Sequence, residues 1–134
     1  MNPQQVLLVQ TSFDNIVPIR ATVGALFYRS LFERDPDLRA LFKGDMAAQS
    51  RKLMAMIEMV VDNLSQFDTL LPPLRALGRA HVGYGVQDAH YEVVGAALLA
   101  ALRVSLEEGF SAADEAAWAE AYALLASTMK AAAA

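Results

Sequence analysis

One histidine occupies a position where a side chain could bind a metal. His81 follows Leu74 and Leu77 at helical spacing, so its imidazole is expected to project from an apolar helix face. An apolar face that carries one nitrogen ligand suits a haem iron. A lone histidine on such a face is more often a hydrogen-bonded core residue. His81 taken alone therefore leaves both interpretations open.

A tyrosine and a glutamine offer hydrogen-bond donors on two other helical segments. Tyr28 lies in an apolar stretch with Leu31 and Phe32 at i+3 and i+4, where a buried hydroxyl needs a partner. Gln49 precedes Leu53 by four residues on the same helix face, so its amide could donate to a ligand held there. The alternatives are that Tyr28 fills the core with its hydroxyl reaching solvent, and that Gln49 is a surface residue.

Other classes of chemistry find little support in the sequence. The absence of cysteine excludes disulfides, thiolate metal sites and a cysteine nucleophile. There is no glycine-rich phosphate loop, His-x-x-x-His metal pair or supported Ser-His-Asp arrangement. The net charge of −4 and the lack of cationic clusters disfavour nucleic acid as a partner. Without a leader segment or an apolar run of about 18 residues, we expect a cytoplasmic protein with no membrane partner.

The elements that position these residues are predicted to be helices in a single domain that covers residues 1–134. Asn-Gly and Asp-Gly turns and alternating apolar strands are absent. Prolines, glycines and capping residues divide the chain into seven helices of unequal length, which favours helices that cross steeply around a pocket. Their predicted bounds are approximately 3–16, 19–33, 35–42, 45–64, 72–82, 88–107 and 111–130.

Several predicted helix starts carry a capping residue. Asp35, which precedes Pro36, and Asp45 and Asp88 are each expected to accept a hydrogen bond from the backbone of the first helical turn. Ser111 begins a sequence that resembles a capping box, with an aspartate three residues later in place of the usual glutamate.

Short motifs recur in a specific order along nearly the whole chain. The pair Phe27-Tyr28, residues 35–42 (Asp-Pro-Asp-Leu-Arg-Ala-Leu-Phe) and residues 49–54 (Gln-Ser-Arg-Lys-Leu-Met) are similar to the distal half of bacterial globins. The similarity continues in the proximal half and the last helices of those proteins, which match residues 77–81, 84–86, 90–95 and 117–122 of this chain. The chain thus resembles single-domain globins of the flavohaemoglobin lineage, especially the Hell's Gate globin type and more distantly Vitreoscilla haemoglobin.

The resemblance implies the globin fold, a 3-over-3 helical sandwich around one haem b. His81 would be the iron ligand and Phe42 the ring stacked on the porphyrin. Tyr28 and Gln49 would be the polar, catalytic pair beside the bound gas, and Leu53 would close the distal pocket. The remaining implied haem contacts are Lys52, Leu77, Val86, Tyr91 and Val94. Lys52 or its neighbour Arg51 would pair with a haem propionate, or both would be solvated.

The implied function is reversible binding of oxygen and nitric oxide, with carbon monoxide as a further ligand. Two donors predict slow oxygen release, since each hydrogen bond to a partly charged acceptor contributes roughly 1.5 to 3 kcal/mol. Dioxygenation of nitric oxide would need an external reductase, because the sequence ends at Ala134 without a reductase or output domain. A haem-based gas or redox sensor that acts through a partner protein, and a helical interaction protein without haem, remain as alternatives.

The proximal side departs from the flavohaemoglobin pattern. In that lineage a glutamate on the last helix partners the tyrosine matched here by Tyr91, whereas residues 129–134 contain no acid. A strong proximal push on the iron is therefore not expected. Since Gln49 stands on the distal side, coordination by two imidazoles, as in neuroglobins, is not expected from that helix. His90 is expected at the surface, and the lack of a long heptad stripe favours a monomer or weak dimer.

Overall fold

The computed structural model describes residues 1–134 and contains six α-helices and no strand. The helices are α1 Pro3–Ile16, α2 Arg20–Arg34, α3 Met46–Asp62, α4 Leu71–Gly83, α5 Asp88–Leu106 and α6 Ala112–Ala133. Four 3₁₀ segments lie between them, at Val17–Ile19, Pro36–Leu41, Leu64–Leu70 and Glu107–Gly109. The predicted all-α class is confirmed.

The six helices form two layers of three. In one layer α1 packs on α3, and α4 follows α3 through the 3₁₀ segment 64–70. In the other layer α5 packs on both α2 and α6. Contacts of α4 with α6, of α2 with α3 and of α1 with α6 join the layers. The core between them contains Ile16, Leu31, Leu74, Leu102 and Met129, all of which are almost completely buried. This arrangement is the 3-over-3 sandwich that the sequence predicts.

Two glycines allow the layers to approach at close range. A Cβ on Gly78 of α4 would collide with the backbone carbonyl of Met129 on α6, and a Cβ on Gly24 of α2 would collide with the side chain of Ser50 on α3. Because glycine has no side chain, α4 approaches the backbone of α6 at Gly78, and α2 approaches the Ser50 side chain of α3 at Gly24. The crossing at Gly78 lies one helical turn before His81 and so fixes the position of that residue.

Two of the predicted helix caps are confirmed. Asp45 accepts a hydrogen bond from the backbone nitrogen of Ala47 at 3.0 Å and so begins α3. Ser111 and Asp114 form a reciprocal capping box at the start of α6. These starts are set by side chains within three residues of the helix, which is why the sequence alone could locate them.

Two other predicted caps are wrong. The side chain of Asp35 makes no capping hydrogen bond; its backbone carbonyl accepts from Leu38 instead, at 3.1 Å, because the short segment that follows is a 3₁₀ helix. The cap of α5 is Gln87 rather than Asp88. Its backbone nitrogen donates to His90 Nδ1 at 2.9 Å, in a capping box that makes Asp88 the first helical residue. His90 is therefore part of a helix cap and not a free surface residue.

Helix α5 is the most apolar of the six helices. Residues 88–109 are long and apolar enough to cross a membrane by length and composition, which corrects the expectation that no stretch of the chain is. In the fold, the buried residues of α5, among them Tyr91, Leu98 and Leu102, belong to the core, and the helix contacts α1, α2 and α6. Only 22% of this stretch is buried, so its contacts with other helices account for part of its apolar composition.

Candidate functional site

His81 lies near the end of α4 with its ring partly buried. Its Nδ1 atom is buried and has no hydrogen-bond partner. Buried polar atoms in folded proteins are nearly always paired, so this finding argues against His81 as a hydrogen-bonded core residue. Burial also lowers the pKa of the imidazole below its usual value, which favours the neutral ring at pH 7. A neutral imidazole keeps a lone pair that can bind a metal.

Aromatic and aliphatic side chains surround the imidazole. The rings of Tyr84 and Tyr91 lie 6.3 and 6.4 Å from the His81 ring, measured between centroids. Tyr84 is 66% exposed at the corner after α4, whereas Tyr91 is buried on α5. Neither tyrosine donates a hydrogen bond to His81 Nδ1. The resemblance also implies three haem contacts on this side, at Leu77, Val86 and Val94. All three side chains are partly buried and pack against the core.

Tyr91 is held in place by the last helix. The hydroxyl of Tyr122 on α6 donates a hydrogen bond to the backbone carbonyl of Tyr91. Burial raises the pKa of Tyr122, so its phenol remains a donor. Lys130, eight residues further along the same helix, places its ammonium group over the Tyr91 ring, 5.7 Å from the centroid. Sequence reasoning missed both contacts, because nothing in the local pattern of α6 shows what it faces.

A second cluster of aromatic rings contains Tyr28. Its ring lies 4.9 Å from Phe27, 5.9 Å from Phe32 and 5.4 Å from Phe42, and the contacts with Phe27 and Phe42 are edge-to-face. Such aromatic pairs prefer this geometry. Arg39 fixes the end of the 3₁₀ segment, since its guanidinium group donates to the carbonyl of Phe42 at 2.8 Å. The sequence did not reveal this role of Arg39.

Gln49 approaches the phenol of Tyr28 from α3. Burial raises the pKa of Tyr28, and the weaker hydrogen-bonding interaction with Gln49 lowers it. Because burial has the larger effect, the phenol keeps its proton well above neutral pH. No direct hydrogen bond of standard geometry joins the two side chains, so both retain donors for a third group. Leu53, one turn after Gln49, is partly buried beside the core.

Two small apolar cavities lie among the helices, and Leu53 lines the first of them. The first, of about 10 Å³, is lined by Leu53 and Phe27 among others, and the second, of about 40 Å³, reaches Tyr122. Trp118 lines both cavities, and its buried indole nitrogen has no hydrogen-bond partner. All residues that line the two cavities are hydrophobic. Spaces of this size and polarity admit only small uncharged molecules.

The donor set limits which cofactor could fit this site. The structure contains no group of three or more His, Cys, Asp or Glu side chains that could hold a metal ion. A metal bound at His81 would therefore need further ligands that are not protein side chains, and a porphyrin supplies them. Arg51 and Lys52 are exposed and form no ion pair, so either could meet a carboxylate at the edge of the site. The residues present fit a haem.

The fold brings the two groups of predicted site residues to neighbouring elements. His81 lies on α4 and Tyr91 on α5. In the other group, Tyr28 lies on α2, Phe42 directly follows the segment Pro36–Leu41, and Gln49 lies on α3. The two sides meet where α5 packs on α2, and the corner after α4 also approaches the segment Pro36–Leu41, because a Cβ on Gly85 would lie 3.5 Å from the side chain of Leu41. Gly85 itself has a φ of 89°, a backbone conformation that favours glycine.

A comparison with known families decides the identity of the fold. A family model described as Globin matches residues 25–129. The chain belongs to the globin family. The match includes every residue that the sequence assigned to the site, from Tyr28 to Val94.

Similar proteins place this globin beside bacterial and animal members of the family. A flavohemoprotein of Chromobacterium violaceum is 37% identical over 108 residues, which are 77% of this chain and 26% of that protein. The globin thus spans about a quarter of the flavohemoprotein. A neuroglobin of Tetraodon nigroviridis is 27% identical over 91% of this chain and 86% of its own length. An engineered carbene transferase, derived from a Rhodothermus marinus protein provisionally assigned as a nitric oxide dioxygenase, superposes with a TM-score of 0.89 at 27% identity and covers 99% of this chain and 93% of its own.

Proposed function

We propose that this globin binds haem b through His81 and binds a diatomic gas on the side of the haem that faces Tyr28 and Gln49. The observation that carries the proposal is the partly buried imidazole of His81, whose pKa is lowered by burial so that the neutral ring can offer a nitrogen lone pair, in a fold without a group of three or more metal-binding side chains. Reduced haem iron binds oxygen, nitric oxide and carbon monoxide, which are the ligands we expect.

Each remaining site residue has a role in this proposal. Tyr28 and Gln49 donate hydrogen bonds to the gas, and Leu53 limits the space available to it. Phe42 packs against the face of the porphyrin, and Lys52 or Arg51 pairs with a propionate. The haem contacts on the His81 side are Leu77, Val86, Tyr91 and Val94. The two small apolar cavities, the first of which is lined by Leu53, support an uncharged ligand, since they offer no polar lining to a charged one.

We further propose that the globin binds oxygen reversibly and converts nitric oxide to nitrate when a separate reductase supplies electrons. The similarity to a flavohemoprotein and to the Rhodothermus marinus protein supports this activity. The proposal places the protein in the cytoplasm as a monomer or weak dimer, with no nucleic acid or membrane as partner. Its distal donors favour slow release of oxygen, which leaves time for reaction with nitric oxide.

The decisive experiment is the absorption spectrum of the purified, haem-reconstituted protein in the oxidised and reduced states, with and without carbon monoxide. We expect one haem per chain and a Soret band that shifts with each ligand. His81→Ala should lose this spectrum, and His90→Ala is the matched control because the chain contains only two histidines. Failure of the wild type to bind haem stoichiometrically would favour a helical interaction protein, and an unchanged spectrum in His81→Ala would refute the ligand assignment.

A further inference from the structure

The end of α6 places a positive charge beside the aromatic residue that neighbours His81. We propose that Lys130 favours the reduced state of a haem bound at His81. It acts as a positioning residue, through the positive charge of its ammonium group over the Tyr91 ring. The inference rests on the proposed haem site and adds a determinant of its redox state. The relevant observations are the position of the ammonium group, the charges around it and the unpaired nitrogen of His81.

The position of the ammonium group follows from two measured separations. Lys130 Nζ lies 5.7 Å from the centroid of the Tyr91 ring, and that ring lies 6.4 Å from the ring of His81. Together these distances put Nζ no further than about 12 Å from the His81 ring. A cation over an aromatic face is attracted by the negative potential of that face, so the contact holds the flexible lysine stem in place. The hydroxyl of Tyr122, also on α6, fixes the backbone of Tyr91.

The charge of Lys130 is not neutralised by a neighbouring carboxylate. Three other cationic side chains, Arg20, Arg29 and Arg103, form ion pairs with glutamates, whereas Lys130 forms none. The carboxylates nearest in the chain to Tyr91 are those of Glu92 and Asp88, and both side chains are exposed on α5. Together with burial, the charge of Asp88 raises the pKa of the Tyr91 phenol. Because Lys130 is partly buried and Asp88 is exposed, water screens the lysine less.

A fixed positive charge near the haem changes the balance between its oxidation states. Oxidation adds one positive charge at the iron, so a nearby cation makes the oxidised state less favourable. The unpaired Nδ1 of His81 acts in the same direction. Because no carboxylate accepts a hydrogen bond from this nitrogen, the imidazole would donate less electron density to a metal than a hydrogen-bonded imidazole does. Both features favour the reduced form, which is the form that binds oxygen.

The experiment is a potentiometric titration of the haem-loaded protein and a set of charge variants. In Lys130→Met the ammonium is lost while most of the apolar stem is kept, and Lys130→Gln is a second neutral variant in case the first does not fold. We expect either variant to lower the reduced-to-oxidised ratio at a fixed ambient potential by about threefold to tenfold, where tenfold corresponds to 59 mV for one electron. Lys130→Arg should keep the wild-type potential, and Asp88→Asn should shift it in the opposite direction.

A matched control separates this local effect from loss of net charge. Arg20→Met also removes one exposed positive charge, at the start of α2, and should leave the potential unchanged. Equal potentials for the wild type and the neutral lysine variants would overturn the inference. So would an equal shift in Lys130→Arg, because it would show that packing and not charge sets the potential. Failure of the proposed function is distinguishable, since the wild type would then hold no haem to titrate.

Discussion

Tyr28 and Gln49 differ in how firmly the fold holds them. Tyr28 is 6% exposed and contacts three phenylalanine rings, whereas Gln49 is partly exposed on the first turns of α3. A buried donor with a fixed ring loses little further freedom when it binds a ligand, while a more exposed amide must be ordered. Tyr28 should therefore contribute more to ligand binding than Gln49.

Removal of the Tyr28 hydroxyl tests this difference at the residue scale. We expect Tyr28→Phe to raise the oxygen dissociation rate about tenfold to a hundredfold, because a hydrogen bond to a partly charged acceptor is worth about 1.5 to 3 kcal/mol. Gln49→Leu should raise it less. Stopped-flow replacement of oxygen by carbon monoxide measures both rates. Tyr84→Phe, which removes the hydroxyl of an exposed tyrosine, is the control, and an unchanged rate in the Tyr28→Phe, Gln49→Leu double variant would contradict the assignment.

The protonation of Tyr28 gives a prediction of pH dependence. Burial raises the pKa of this phenol above its usual value, so the hydroxyl remains a donor throughout the range from pH 7 to pH 9. We expect the oxygen dissociation rate to be flat over this range in the wild type. The same stopped-flow measurement at several pH values checks this. The prediction fails if the rate rises with a midpoint below pH 10 and the rise is absent from Tyr28→Phe.

At the scale of elements, the position of His81 depends on how α4 crosses α6. Gly78 lies at this crossing, where the backbone carbonyl of Met129 leaves no room for a side chain. His81 follows one turn later on the same helix face. A shift of α4 away from α6 would thus move the imidazole and the corner after it together. The crossing links the stability of the fold to the geometry of the site.

A methyl group at the crossing should be costly. We expect Gly78→Ala to destabilise the protein by about 1 to 3 kcal/mol, because the added carbon collides with backbone that cannot rotate away. Gly83→Ala on the same helix is the matched control. A Cβ at Gly83 meets nothing within 4 Å, so this variant should be neutral or slightly stabilised. Urea unfolding measures both, and equal stability of the two variants would show that the crossing is not constrained as described.

At the scale of the whole molecule, the fold leaves some buried polar groups without partners. His81 Nδ1 and Trp118 Nε1 are both buried and unpaired, and each such group costs about 1 to 3 kcal/mol. A ligand that binds only the folded state would offset this cost by mass action. The stability of this globin is therefore expected to depend on its cofactor.

Removal of haem tests that dependence. Haem at a thousandfold excess over its dissociation constant adds about 4 kcal/mol, which corresponds to a rise in Tm on the order of 10 °C for a domain of this size. Circular dichroism during thermal unfolding, with and without haem, measures the difference. In His81→Ala the increment should be much smaller. An equal Tm with and without haem would mean that haem does not bind the folded chain specifically.

The sequence by itself determined the helical class, most helix bounds and the side chains that could do chemistry. Its information was local: Asp45 and Ser111 cap helices through bonds within three residues, and the spacing of Leu74 and His81 places both on one face. The order of motifs also predicted the globin family, which the family match confirmed. The errors at Asp35 and Asp88 were local as well, because a 3₁₀ segment follows Asp35 and Gln87 caps α5 in place of Asp88.

Only the tertiary structure decided what faces each of these side chains. The contact of Lys130 with Tyr91, the bond from Tyr122 to the Tyr91 carbonyl and the lack of any partner for His81 Nδ1 depend on how the helices cross. Those crossings are set by which side chains interlock, and by glycines such as Gly78 that let two backbones touch. The physical reason is that helix periodicity specifies which face of a helix is apolar but carries no information about which residue of another helix will pack against it.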